Sequence, residues 1–233
     1  MKNLNIFETN DFSEMKIIDF QDTEIYFMDN FYKNPYLVLE YLNSIEPPVW
    51  KSWETPSRNM IDFEDRRHQL NHEGMDIVYQ KLSNLCGQMP VEGANVTTNY
   101  TRFKKSLNND YHKNYWWPHN DFGYNGIIYL NDYRDEEFEG TCLYNLLNKQ
   151  INTVERASEH KDPWTPKEYW DIVIKIFAKF NRFVMFEGSV YLHGMSIFDN
   201  RWFAENLEDA NFRINQVLFF DREKKLHPWL ISQ

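Results

Sequence analysis

Apolar positions along this chain recur at two different periods, and the change of period divides it into a helix-bearing first part and a strand-rich second part. Val38, Tyr41, Leu42 and Ile45 share one face of a helix that opens at Asn34-Pro35, a capping residue followed by proline at the first helical position. Pro47-Pro48 ends it. Met75, Val78, Tyr79, Leu82 and Leu85 mark a second helix over about 71–86, with Gly87 as its terminator. A third is expected to start at Thr165-Pro166-Lys167-Glu168, which reads as a capping box. It would continue through the stripe Tyr169, Ile172, Val173, Ile176, Phe177 and Phe180. Short apolar or alternating runs predict strands over 95–103, 126–130, 140–145, 182–186 and 213–220, and a leading hairpin over 17–20 and 24–28.

Helices mainly first and strands mainly later do not make a βαβ alternation. The expected architecture is one domain over 1–233, mainly β with flanking helices. Helical support occupies about 1–94 and a double-sheet barrel core about 95–221, with a helical insertion over about 150–180. The composition agrees, because 42% of the residues are hydrophobic and 17% aromatic, and aromatic rings favour pleated, half-buried surfaces.

A net charge of −10 lacks the basic footprint of a nucleic-acid partner, and Lys104-Lys105 and Arg66-Arg67 read as solvated surface. Two cysteines, Cys86 and Cys142, without a CxxC pair argue against a disulfide scaffold or a zinc ribbon. No apolar run approaches the ~18–20 residues of a membrane span. Met1-Lys2-Asn3-Leu4-Asn5 carries no secretory core, so a soluble cytoplasmic protein is expected.

The candidate chemistry lies in Pro118-His119-Asn120-Asp121. A His-x-Asp triplet alone is weak, since composition supplies roughly half a match by chance. A second copy, His160-Lys161-Asp162, sits in a polar stretch and reads as a decoy. The first copy is followed by the apolar run Ile127-Ile128-Tyr129-Leu130. On an extended segment His119 and Asp121 would face the same way, about 6–7 Å apart. His193, after the strand over 182–186 and a turn through Gly188, is the best-placed third ligand. Two histidines and a carboxylate leave open positions on an octahedral ion, which suits Fe(II) and O2 chemistry. Arg213 opens an otherwise apolar strand, where a charge is costly unless paired, and its guanidinium fork matches a carboxylate such as that of 2-oxoglutarate. Arg201, in a polar run, is the rival.

With these residues the chain resembles the Fe(II)/2-oxoglutarate-dependent dioxygenases, in particular the prolyl-hydroxylase-like group, over roughly 95–221. That family's iron motif corresponds to His119, Asp121 and His193. Its Tyr-Leu-Asn before a Gly-Thr looks like Tyr129-Leu130-Asn131 and Gly140-Thr141, and its closing strand looks like Arg213 to Asp221. The resemblance implies a double-stranded β-helix (a cupin-like jelly roll) that binds Fe(II), 2-oxoglutarate and O2. It further implies hydroxylation of a small-molecule or peptide substrate with release of succinate and CO2. By the same resemblance Tyr129 and Tyr100 join Arg213 around the cosubstrate. Three departures stand out. The interval from His193 to Arg213 is twenty residues where about ten is usual, the paired glycine is reduced to Gly140 after Glu139, and the segment 150–180 is long. Rival readings are an oxidative nucleic-acid demethylase, disfavoured by Phe219 where a second arginine is expected, and a cupin-like metalloenzyme that makes no use of 2-oxoglutarate. A third is a metal-binding or interaction module of the same fold without turnover, using Tyr115-Trp116-Trp117 as a contact surface.

Overall fold

The computed structural model describes residues 6–21, 23–45, 49–50, 63–87, 89–90, 96–105, 113–116, 118–121, 123–147, 164–197 and 200–221. In chain order the elements are β1 (Lys16–Phe20), β2 (Thr23–Met28), α1 (Pro35–Ser44), β3 (Val49–Trp50), β4 (Phe63–Leu70), α2 (Glu73–Cys86), β5 (Met89–Pro90), β6 (Val96–Lys104) and β7 (Asn114–Trp116). They continue with β8 (Tyr124–Tyr129), β9 (Phe138–Leu146), β10 (Trp164–Pro166), β11 (Trp170–Ala178), β12 (Arg182–Glu187), β13 (Leu192–Met195), β14 (Phe203–Ala204) and β15 (Arg213–Asp221).

The large sheet runs β1-β2-β12-β8-β15-β6-β4-β3, with β14 and β5 attached at its margins. A second sheet runs β11-β9-β13, and β7 pairs with β10. All of these pairings are antiparallel except β14 with β6. The protein is therefore a mainly β, antiparallel sandwich. Alternation along the central strands assigns each face. Ile127 and Tyr129 of β8 and Val184 and Phe186 of β12 meet Leu143 and Ile176 of the second sheet in one core. Their neighbours Tyr124, Ile128, Phe183 and Met185 point the other way, onto Val38 and Leu42 of α1 and Met75, Val78 and Leu82 of α2. Cys142, Tyr144 and Trp170 lie outside the second sheet, against Tyr115 of β7.

Both early helices form where the pattern places them. The Asn34 side chain accepts from the Leu37 amide, and Gly87 adopts φ 66° beyond the last turn of α2. The third helix does not form. Thr165 is in β10, residues Lys167–Tyr169 make one 3-10 turn, and the stripe that follows is strand β11, paired with β9. Ile172, Val173, Ile174 and Ile176 explain the outcome, because β-branched side chains lose rotamer freedom in a helix and pack well on a pleated surface. The expected helical insertion over 150–180 is thus mainly strand where it is described, with one 3-10 turn over Lys167–Tyr169, and 148–163 lie outside the described residues. The first part of the chain also contributes β1–β4 to the large sheet, so it extends the sandwich as well as bracing it. Pro47-Pro48 are likewise outside the described residues. No helix is long and apolar enough to cross a membrane among the described residues.

The described residues of the loop 196–212, which lengthens the interval between His193 and Arg213, pack into the structure. Ile197, Trp202 and Phe203 join the core between the two sheets. At Gly140 of β9, an added Cβ would lie 2.5 Å from the Ile176 carbonyl oxygen and 2.7 Å from the Ala178 nitrogen. The β9–β11 approach therefore requires glycine there. Gly140→Ala should destabilise the fold by about 1–3 kcal/mol, an ordinary cost of overpacking. The effect should appear as a lower midpoint in urea unfolding, and an unchanged midpoint would contradict this account of the β9–β11 contact.

Candidate metal centre

The site is hung from one isolated backbone pairing. His119 lies on the extended segment before β8, and its amide donates to the His193 carbonyl at 2.9 Å while the His193 amide donates back at 2.8 Å. The segment is fixed at its other end by the Asp121 amide, which donates to the Gly188 carbonyl at 3.1 Å. These contacts bring together the three residues that the spacing singles out. The ligand atoms of His119, Asp121 and His193 all lie within 4.8 Å of one another. His193 Nε2 is 3.2 Å from Asp121 Oδ2, His119 Nε2 is 3.8 Å from Asp121 Oδ1, and the two imidazole centroids are 4.6 Å apart.

The three side chains differ in environment. His193 is 6% exposed, Asp121 28% and His119 46%, so the cluster has a closed wall and an open rim. The His193 ring stands edge-on to Phe186, and its Nδ1 lies 3.1 Å from the Tyr191 carbonyl. That carbonyl accepts a hydrogen bond from Nδ1, which fixes the ring with Nε2 turned toward Asp121. Burial raises the Asp121 pKa, but the hydrogen bond and charge of His193, the charge of His119 and the Asn125 amide together hold it well below the usual carboxylate range. A deprotonated carboxylate between two imidazoles is a donor set for a divalent metal.

Arg213 and Tyr129 occupy the same inner face. Asn215 is opposite Tyr129 across β15 and β8, and Arg213 is two positions along from Asn215. Arg213 is 4% exposed. Its Nη2 donates to the Gly140 carbonyl at 2.9 Å, and its Nε has no hydrogen-bond partner. No carboxylate forms an ion pair with it among the described residues. Burial lowers its pKa, partly offset by Tyr129 and Glu139. The Tyr129 hydroxyl is hydrogen-bonded to Thr141 at 2.8 Å, and burial pushes its pKa up to about 12.

Tyr100 is not brought to this face. It is opposite Ile214, one residue out of phase with Arg213, and its ring meets Phe212 on the far side of the sheet. Arg201 is committed elsewhere, donating to Glu136 at 2.6 Å and lying over the Tyr133 ring. Trp116 packs on Phe63 and Phe103, and Tyr115 on Tyr144, so both rings serve the interior. Trp117 and the decoy His160-Lys161-Asp162 lie outside the described residues.

One residue of the site escaped sequence reasoning. Asn125, 1% exposed, places its Nδ2 2.5 Å from Asp121 Oδ2 and 3.1 Å from His193 Nε2. Its amide is covered by Gly188, where a Cβ would come within 2.8 Å of Asn125 Cγ, Nδ2 and Oδ1. The available signal was a polar side chain in phase with the inward-facing Ile127 and Tyr129. No protein-family model matches the chain, and no curated protein matches it.

A buried guanidinium that lacks an anion costs stability, and an apolar side chain of similar length removes that cost. Arg213→Met should therefore raise the ligand-free Tm by about 2–4 °C, the shift that 1 kcal/mol gives in a domain of this size. Differential scanning calorimetry checks this, and a lower Tm would show that Arg213 is satisfied within the fold.

Proposed function

We propose that this protein is an Fe(II)- and 2-oxoglutarate-dependent oxygenase that hydroxylates a small-molecule or peptide substrate. The observation that carries the reading is the pairing of two features inside one sandwich, a two-histidine, one-carboxylate cluster and a buried arginine with an unpartnered Nε. The strand order supports a double-stranded β-helix. β12-β8-β15-β6 are four adjacent strands of one sheet, and β11-β9-β13 with the bridged His119 segment make four in the other, the strand number that an eight-strand jelly roll would need.

The residues present fit the metal and the cosubstrate. His119, Asp121 and His193 supply two nitrogens and one ionised oxygen and leave three positions of an octahedral ion open. When bound there, Fe(II) with 2-oxoglutarate would supply the activation of O2 and the oxidising power for C–H hydroxylation, with succinate and CO2 as by-products. Arg213 would hold the far carboxylate of 2-oxoglutarate through its fork, with Tyr129 beside it. Asn125 touches the ligands and Tyr129 adjoins Arg213. The two are four residues apart on one face of β8, a span of roughly 13 Å that a five-carbon dicarboxylate and an arginine side chain can bridge. Arg213 is buried between the sheets, while His119 at the rim is exposed to solvent, the side from which a substrate would approach. The need for Arg213 is what separates this reading from a cupin-like enzyme that uses the metal alone.

Anaerobic titration of the metal-free protein with Fe(II) and then 2-oxoglutarate should produce a weak visible charge-transfer band. His119→Ala should lose it, and Arg213→Met should need at least ~100-fold more cosubstrate, the loss of a charge-assisted bidentate contact. A folded wild-type protein that gives no band would overturn the assignment and favour a binding module without turnover.

A further inference from the structure

On the reading that the His119, Asp121 and His193 cluster holds a divalent metal, we propose that Asn125 is the positioning residue that keeps one side of that metal open for the cosubstrate. The argument begins with the two oxygens of Asp121. Oδ2 receives Asn125 Nδ2 at 2.5 Å and lies 3.2 Å from His193 Nε2, while Oδ1 faces His119 at 3.8 Å. A carboxylate with one oxygen tied to a fixed donor coordinates through the other. A carboxylate without that tie can swing to offer both. Bidentate binding would occupy one of the three positions that chelating 2-oxoglutarate and O2 need.

Asn125 is built to enforce the first case. It projects inward from β8 between strands that are paired on both sides, so its backbone cannot yield. Its amide lies under Gly188, whose missing Cβ is what makes room for it. The same Gly188 carbonyl takes the Asp121 amide and the Asn120 side chain, so the turn that covers Asn125 also anchors the ligand segment. Asn125 Nδ2 also lies 3.1 Å from His193 Nε2, and the Nδ1 contact with the Tyr191 carbonyl holds that ring from its other side. One amide group therefore restricts the carboxylate to a single oxygen and sets a polar contact beside the ligand nitrogen of His193. Neither task can be given to a leucine of the same shape.

The test uses Asn125→Leu, which keeps volume and loses both hydrogen bonds, and Gly188→Ala, which presses on the amide without touching a ligand. Two quantities are measured on each folded, metal-loaded protein. One is the number of exchangeable waters on bound Mn(II), from water-proton relaxation. The other is 2-oxoglutarate affinity at saturating metal. Outer residues that orient metal ligands typically matter by 10–100-fold. We expect Asn125→Leu to carry one water fewer than wild type and to bind 2-oxoglutarate about 10–100-fold more weakly, with Gly188→Ala shifted the same way by a smaller factor. Wild-type water count and cosubstrate affinity in both variants would overturn the role of Asn125 and leave the metal-site reading standing. So would a loss confined to metal affinity, which marks a structural part only. A wild-type protein that binds neither Mn(II) nor Fe(II) would instead overturn the metal site itself, and the role of Asn125 with it.

Discussion

Everything at the candidate site depends on a backbone constraint, the two hydrogen bonds that set His119 directly opposite His193. Neither histidine is adjacent to the other in sequence, and only this pairing fixes their separation. Because side chains directly opposite in an antiparallel pair lie on the same face, the bridge aims both imidazoles at one point. Asp121, two residues on, then falls on the same side as His119. A slip of one residue in this pairing would turn one imidazole away and dismantle the cluster. The burial of His193 against Phe186 and the anchoring of Asp121 at Gly188 make such a slip costly.

The interior of the sandwich shows a division of labour between stability and ligand binding. Most of its inner surface is aliphatic or aromatic, and the core could be continuous were it not for Arg213, Tyr129, Thr141, Asn125 and Asn215. Asn125 touches the candidate ligands, while Tyr129 and Arg213 lie further along the same inner face. Tyr129 and Thr141 satisfy each other, while Arg213 retains an unpartnered nitrogen. On the helix side of the large sheet, Tyr32, Gln216 and Thr98 form a buried, paired chain of polar side chains. Tyr32 donates to Gln216, and Gln216 to Thr98. Arg213 differs from that chain in keeping a buried nitrogen without a hydrogen-bond partner.

Much of this was legible in the sequence where information is local. Asn34-Pro35 and Gly87 bound the two helices, and the strands β8 and β15 follow from their runs of apolar residues. The stripe after Thr165 satisfied two periods at once, and the β-branched density of Ile172 to Ile176 outweighed the capping-box signal. Strand β4 was illegible for a different reason. Its Phe-Glu-Asp-Arg-Arg-His-Gln-Leu is almost entirely polar and is held by ion pairs, Glu64 with Arg66 and Arg102 and Asp65 with Arg67. The triad was readable as a spacing, since ligand types announce themselves. Asn125 was not, because an asparagine acquires meaning only from what the fold sets against it. Tyr100 shows how little separates the two cases, since a shift of one residue places it on the opposite face of the sheet from Arg213.

The unequal exposure of the two imidazoles has a consequence for the life history of the protein. The strand pairing that arranges the ligands is made of backbone hydrogen bonds, so the cluster is assembled before any ion arrives. Its accessible edge is His119, while His193 stays sealed. A metal held here would load last and leave first through that edge, without the chain unfolding. The polypeptide would then outlast any single ion it carries, remaining an intact scaffold when that ion departs.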